Sequence, residues 1–76
     1  MSVALVLNCC GQRCPQPIIQ LARQIAEVSI GDTVRVLADD PAAAHDIPAW
    51  CRMRGQRFCG ADLTGAIPAF HVQRCN

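Results

Sequence analysis

The chain has 76 residues, of which 51% are hydrophobic, and a formal net charge of +1 at neutral pH. A chain of this length makes one domain, residues 1–76, with little room for an internal cavity that could hold a large cofactor, so we expect function at the surface. The sequence has no long basic stretch and few aromatic residues. It therefore lacks the basic surface that a protein needs to bind nucleic acid on its own.

The first half of the chain predicts a strand, a helix and a second strand. Residues 3–7 are apolar and stop at Asn8, as a short buried strand does, and a loop containing Gly11 follows. From residue 15 to residue 28, apolar side chains recur at helical spacing with polar residues on the opposite face, which predicts an amphipathic helix. After a turn, residues 33–38 alternate apolar and polar, as in a half-buried strand.

The second half predicts another helix and a hairpin. An acidic pair followed by proline at residues 39–41 is typical of a helix start. Pro48 is poorly tolerated inside a helix, so we expect a turn at residues 41–45, a fresh start capped by Asp46, and a helix over residues 47–54 closed by Gly55. Two strands, residues 57–63 and 67–74, are joined by a tight turn at residues 64–65.

The resulting order, β-α-β-α-β-β, predicts an α+β domain: a two-layer α/β sandwich with two helices on one face of a mixed four-stranded sheet. The first crossover implies that the first two strands pair in parallel. The last two strands form an antiparallel hairpin.

Cys14 is the strongest candidate for chemistry, because it lies between the first strand and the first helix. A helix N-terminus carries unsatisfied N–H groups and partial positive charge, which favour thiolate over thiol. Pro15 and Pro17 suit the first turn of a helix, where no backbone N–H is needed. Arg13 adds a cation beside the sulfur. These three neighbours support a nucleophilic Cys14 at the helix N-terminus.

The remaining cysteines have plainer interpretations. Cys10, four residues before Cys14, is a possible accessory thiol that could form a disulfide with it; the alternative for Cys10 and Cys9 is an exposed or half-buried loop cysteine without a role. We expect core positions for Cys51 and Cys59, and an exposed Cys75. No Cys-x-x-Cys pair occurs and the spacing matches no structural zinc module, so we expect no metal site.

The start of the chain and the cysteines indicate the cellular compartment of the protein. The apolar start is only seven residues long with no positive segment before it, and no run approaches the roughly 20 apolar residues that span a membrane. We therefore expect a cytoplasmic protein, not bound to a membrane, whose cysteines are mostly free thiols.

For the other polar and aromatic residues we expect structural roles and not catalytic ones. We expect His45 and His71 at the surface, Trp50 between helix and sheet, and capping by Asp39 and Asp40 in preference to acid–base chemistry. Four arginines are equally consistent with a docking surface for an acidic partner and with a solvated face: Arg13, Arg52, Arg54 and Arg57.

Three blocks of the sequence resemble the TusA/SirA family of small sulfur-relay proteins. Residues 7–17, Leu-Asn-Cys-Cys-Gly-Gln-Arg-Cys-Pro-Gln-Pro, are similar to the family pattern Asp-x-x-Gly-x-x-Cys-Pro-x-Pro. Gly-Asp-Thr at residues 31–33 with Ala-Asp-Asp-Pro at 38–41, and Asp-Ile-Pro-Ala-Trp-Cys at 46–51 followed by Gly55, complete the likeness. Asn8 and Gln12 depart from the family's usual aspartate and apolar residue.

The resemblance implies a two-layer β-α-β-α-β-β fold and a carrier that holds sulfane sulfur as a persulfide on Cys14. It implies a cysteine desulfurase or rhodanese-like donor, and a sulfur-acceptor protein in tRNA thiolation, molybdenum-cofactor assembly or oxidative sulfur metabolism. Contact with RNA would be indirect, and neither metal, nucleotide nor flavin is required. The alternative is a thiol-redox or regulatory binding module that cycles Cys14 with Cys10.

Overall fold

The computed structural model describes residues 3–13 and 15–76 of the chain. Its elements follow the expected order, and a short 3-10 turn, Ile25–Glu27, extends the first helix: β1 (Val3–Asn8), α1 (Gln16–Gln24), β2 (Thr33–Leu37), α2 (Ala43–Arg54), β3 (Arg57–Asp62) and β4 (Ala69–Gln73). Within the described residues, no helix is long and apolar enough to cross a membrane.

The four strands form one mixed sheet in the order β1-β2-β4-β3. β1 and β2 pair in parallel, whereas β4 is antiparallel to both β2 and β3. The predicted α+β sandwich, the parallel first pair and the final hairpin are therefore confirmed. Because β1 and β2 run the same way, the loops that follow them leave the sheet at one edge, which we call the carboxyl edge.

The core lies between the helices and one face of the sheet. Val34 and Val36 of β2 and Val72 of β4 are fully buried against Leu21 of α1 and Ile47 of α2. Each such side chain contributes about 1.5–3 kcal/mol when it is fully buried. On the opposite face of the sheet Arg35 and His71 are half-buried, whereas Thr33 and Ala69 are buried.

The second helix differs from the prediction. One continuous helix, Ala43–Arg54, contains Pro48, and the expected turn with a fresh start at Asp46 is wrong. The reason is burial: Ala43, Ile47, Trp50 and Cys51 repeat at helical spacing and all face the core, which outweighs the backbone hydrogen bond that proline removes.

The helix ends as expected, and the hairpin turn is longer than expected. Gly55 ends α2 in the left-handed conformation, with φ of 72°. Between β3 and β4 the chain uses residues 63–68 rather than a two-residue turn. Asp62 orders the start of this connection, since its Oδ1 accepts hydrogen bonds from the backbone N–H and the hydroxyl of Thr64, at 3.0 and 2.6 Å.

Candidate functional site

The sequence placed the reactive sulfur at Cys14, which lies outside the described residues. Its flanks are described: the loop of residues 9–13 follows β1, and α1 begins at Gln16. Both belong to the carboxyl edge of the sheet. The geometry of the site is therefore given by the residues on either side.

Every amide of the loop before Cys14, from residue 9 to residue 12, donates a hydrogen bond. The acceptors come from three places, namely the adjacent strand, the loop itself and the segment after β2. In order, Cys9 N–H donates to the carbonyl of Leu37 (2.8 Å), Cys10 N–H to Oδ1 of Asn8 (3.1 Å), Gly11 N–H to the Asp39 carboxylate (3.0 and 3.2 Å) and Gln12 N–H to the carbonyl of Cys9 (3.2 Å). Four satisfied amides in succession define one conformation for this loop.

Gly11 is required by the shape of the loop. Its φ of 77° lies in the left-handed region, where an L side chain meets its own backbone. A Cβ placed on Gly11 would meet no heavy atom within 4 Å. The constraint is therefore one of backbone conformation and not of space.

The start of α1 carries no acidic residue of its own. Pro15 is the N-cap, the first turn contains no Asp or Glu, and no described side chain caps this end of the helix. The N–H of Gln16 donates to the carbonyl of Arg13 at 2.8 Å, and that of Ile19 donates to the carbonyl of Pro15 at 3.0 Å. The partial positive charge of the helix start is thus not offset by a carboxylate of its first turn.

The three residues expected to support Cys14 differ in exposure. Arg13 and Pro15 are exposed, whereas Pro17 is buried in the first turn of α1. Pro17 therefore packs the start of the helix onto the domain. Arg13 and Pro15 remain available at the surface next to Cys14 in the chain.

A shallow depression of about 410 Å³ lies where the loop after β1 meets the loop after β2. It is lined by Gly11, Gln12 and Arg13 on one side and by Asp39, Asp40 and Pro41 on the other. The predicted capping of α2 by Asp40 is wrong, because the N-cap of α2 is Ala42 and no described side chain caps the helix there. Oδ1 of Asp40 instead accepts the N–H of Ala42 at 2.9 Å, in the turn before the helix. Asp39 does not cap α2. It bonds to Gly11 across the depression, a contact that sequence reasoning missed.

The two loop thiols have different environments. Cys9 is fully buried, and its thiol donates to Oε1 of Gln20 at 3.4 Å, so the expectation of an exposed or half-buried Cys9 is wrong. The hydrogen bond from Cys9 to Leu37 extends the strand ladder by one residue, which points Cys9 inward like Leu7. Burial, and then the neighbouring Cys10, raises the pKa of the Cys9 thiol. Cys10 is half-buried, as one of its interpretations required.

The other described cysteines, Cys51, Cys59 and Cys75, are free thiols that lie outside this loop. Cys51 is buried in the core as predicted, and burial raises the pKa of its thiol to about 11. Cys75 is exposed, also as predicted. Cys59 is half-buried instead of core, because it falls at the irregularity where β3 shifts register between Phe58 and Gly60.

The histidines, Trp50 and the arginines named as candidates lie outside the loop before Cys14 or at the surface. His45 is exposed and Trp50 is buried, as expected. His71 is only half-buried, and its Nε2 accepts the Nε–H of Arg35 at 3.0 Å on the face of the sheet opposite the core. The four arginines considered as a docking surface are all exposed. Among the residues that the structure describes, no three His, Cys, Asp or Glu side chains come together as metal ligands.

An apolar groove between the helices begins beside the candidate site. It has a volume of about 290 Å³ and is lined mainly by Pro15 and Ile18 of the α1 side and by Ala49, Trp50 and Met53 of α2. Met53 is 74% exposed, so its apolar side chain borders the groove at the surface. Sequence reasoning missed this groove, although an apolar residue at position 53 on the polar side of α2 was a signal.

The fold and the loop define a small two-layer domain whose candidate site lies where the chain passes from β1 into α1. A family model described as sulfurtransferase TusA matches residues 5–74, so the chain belongs to the TusA sulfurtransferase family. The crystal structure of a SirA-like protein from Desulfitobacterium hafniense has the same fold: 19% identity, a TM-score of 0.79, and coverage of 95% of this chain and 99% of that one. The TusA/SirA resemblance is confirmed, and sulfur transfer is the general activity of the family.

Proposed function

We propose that this protein accepts a sulfane sulfur as a persulfide on Cys14 and passes it to a partner protein. The observation that carries the proposal is the loop before Cys14. Its four successive amides are all hydrogen-bonded, and it leads directly into a helix start whose first turn has no carboxylate. Such surroundings favour an anionic sulfur over a neutral thiol.

The transfer conserves atoms and charge. The Cys14 thiolate attacks the outer sulfur of a donor persulfide, the donor's S–S bond breaks, and the donor thiolate leaves. Cys14 then carries the terminal S–SH group. An acceptor thiolate attacks that outer sulfur in turn, and the Cys14 thiolate leaves. Because the sulfane sulfur keeps its oxidation level, no outside oxidant or reductant is needed.

Three neighbours of Cys14 have proposed supporting roles. Buried Pro17 holds the first turn of α1 against the domain, and Pro15 contributes no N–H that would need a partner. Arg13, which is exposed, supplies a cation for the thiolate and for the persulfide anion. The helix start favours both forms, since thiolate and perthiolate are both anions.

The partners are proposed by chemical class. The donor is a cysteine desulfurase or a rhodanese-like enzyme, and the acceptor is a protein of tRNA thiolation, molybdenum-cofactor assembly or sulfur oxidation. A net charge of +1 supports protein partners over direct contact with nucleic acid. The cytoplasm is the proposed compartment, because the five described cysteines are all free thiols.

The test is sulfur loading followed by intact-protein mass spectrometry. Incubation with a persulfide donor should add about 32 mass units to the wild type, the mass of one sulfur gained by exchange. Cys14→Ala and Cys14→Ser should fold normally and gain nothing. Cys75→Ala, which removes an exposed thiol at the far end of the chain, is the matched control and should load fully. Equal loading of Cys14→Ala and wild type would reject the proposal.

A second candidate is a dithiol–disulfide cycle between Cys14 and Cys10. One observation favours it: Cys10 is half-buried and hence partly accessible, while Cys9 is withdrawn into the core. Cys10→Ser separates the two candidates. Sulfur transfer at the normal rate in this variant would show that the disulfide cycle is not the main activity. Loss of transfer would make Cys10 a participant.

A further inference from the structure

The Gly11 amide takes its acceptor from outside its own loop and its partner strand. Both carboxylate oxygens of Asp39 lie within hydrogen-bond distance of that N–H, at 3.0 and 3.2 Å. The two residues are 28 positions apart in the sequence. The contact therefore ties the loop after β1 to the loop after β2.

This contact is made three residues before Cys14. A second fixed point, the bond from Gln16 N–H to the Arg13 carbonyl, is made two residues after Cys14. Both described flanks of Cys14 are therefore held by hydrogen bonds. The bond at Gln16 is local, whereas the bond at Gly11 depends on a side chain of another segment.

We propose that Asp39 is a positioning residue for Cys14: it accepts the Gly11 N–H and thereby sets the loop from which the sulfur reacts. This inference rests on the proposed function, because it concerns the reactivity of the same thiol. Asp39 need not touch the sulfur or either partner. Its effect is carried by the backbone of residues 11–13.

The charge of Asp39 acts in the opposite direction to its hydrogen bond. A nearby carboxylate disfavours a thiolate, so loss of the charge alone would lower the pKa of Cys14. Loss of the bond frees the loop from the helix start, which would raise that pKa. The direction in which the pKa moves therefore tells which role dominates.

Two substitutions separate these roles. Asp39→Ala removes both the charge and the acceptor. Asp39→Asn removes the charge and keeps an oxygen that can accept the Gly11 N–H. Asp32→Ala is the matched control, because Oδ2 of Asp32 accepts a backbone N–H, that of Ser29 at 3.1 Å, before β2 at the opposite edge of the sheet.

The experiment measures the alkylation rate of Cys14 from pH 5 to 10 by peptide mass spectrometry, together with sulfur transfer and thermal unfolding. Asp39→Ala should raise the apparent pKa of Cys14 and slow sulfur transfer roughly tenfold, in keeping with the cost of misplacing a reacting group. Asp39→Asn should restore transfer to within about twofold of wild type, since the acceptor is retained. Asp32→Ala should leave the alkylation profile and the transfer rate unchanged.

Three results would overturn the inference. One is an unchanged Cys14 profile in Asp39→Ala; another is a profile in Asp39→Ala that moves to lower pH; the third is an Asp39→Asn variant as slow as Asp39→Ala. Failure of the proposed function is a separate outcome, recognised when wild type and Cys14→Ala take up sulfur equally. The alkylation profile still tests Asp39 in that case, because it needs no sulfur donor.

Discussion

Replacement of Gly11 by alanine tests whether the loop before Cys14 has the conformation described above. Gly11 has φ of 77°, and a Cβ at this position would meet nothing within 4 Å. The cost is therefore conformational, about 1–2 kcal/mol for an L residue in the left-handed region. Alanine also lowers the conformational entropy of the unfolded chain, which offsets about 0.4–1 kcal/mol of this cost. We expect a net loss of about 1 kcal/mol, or a Tm lower by about 4–8 °C in a domain of this size.

The assay is urea unfolding followed by the fluorescence of Trp50, which is the single tryptophan and is 6% exposed in the folded protein. Gly65→Ala is the matched control, because Gly65 lacks a left-handed φ and its added Cβ would lie 3.8 Å from the Ile67 carbonyl oxygen, an ordinary contact. It should be neutral or slightly stabilising. Gly11→Asn should cost less than Gly11→Ala, since asparagine tolerates this region. If Gly11→Ala is as stable as Gly65→Ala, or costs more than about 3 kcal/mol, the conformational argument fails.

Two further predictions concern the core side of α2. Burial raises the pKa of the Cys51 thiol from its ordinary 9.0 to about 11, so the folded state holds the proton more tightly. Stability should then be intact below pH 9 and fall by about 2–3 kcal/mol as the pH rises through 11, because the unfolded chain loses the proton first. The chain has neither lysine nor tyrosine to titrate in this range, but the pKa of the buried Cys9 thiol is raised as well. The fall in urea midpoint between pH 8 and pH 11 should therefore be smaller in Cys51→Ala than in wild type, and an equal fall in that variant would contradict the assignment. Pro48→Ala should stabilise the protein by about 1–3 kcal/mol, since it restores an amide to the interior of α2, and an unchanged or lower midpoint would mean that the helix is adapted to the proline.

The two helices illustrate what local patterns could and could not predict. α1 has a strong apolar stripe that ends in Leu21 and Ile25, and its position was predicted to within a few residues. In α2 the local rule for Pro48 gave the wrong start. The side chains of Ile47 and Trp50 are buried against the sheet, and that tertiary contribution exceeds the local penalty.

In the candidate site too, features set by the local sequence could be predicted and features set by contacts between strands could not. Pro17 in the first turn of α1 follows from a short-range preference and was predictable, whereas the predicted cap at Asp40 was not found. The inward direction of Cys9 depends on one extra ladder bond to Leu37, which belongs to another strand. The pairing of Asp39 with Gly11 depends on the parallel register of β1 and β2. Neither could be deduced before the strands were brought together.

The parallel pairing of β1 with β2 has a consequence for the newly made chain. The ribosome synthesises the loop thiols well before the strand and the carboxylate that order them, because the bonded residues are 28 positions apart. Contacts of this range form only after the intervening segment has folded back. An incomplete chain would hence display Cys9 as an accessible thiol, and the reactivity of Cys9 would fall as the domain closes and buries it. Loop reactivity in nascent chains of increasing length would then report the moment of folding.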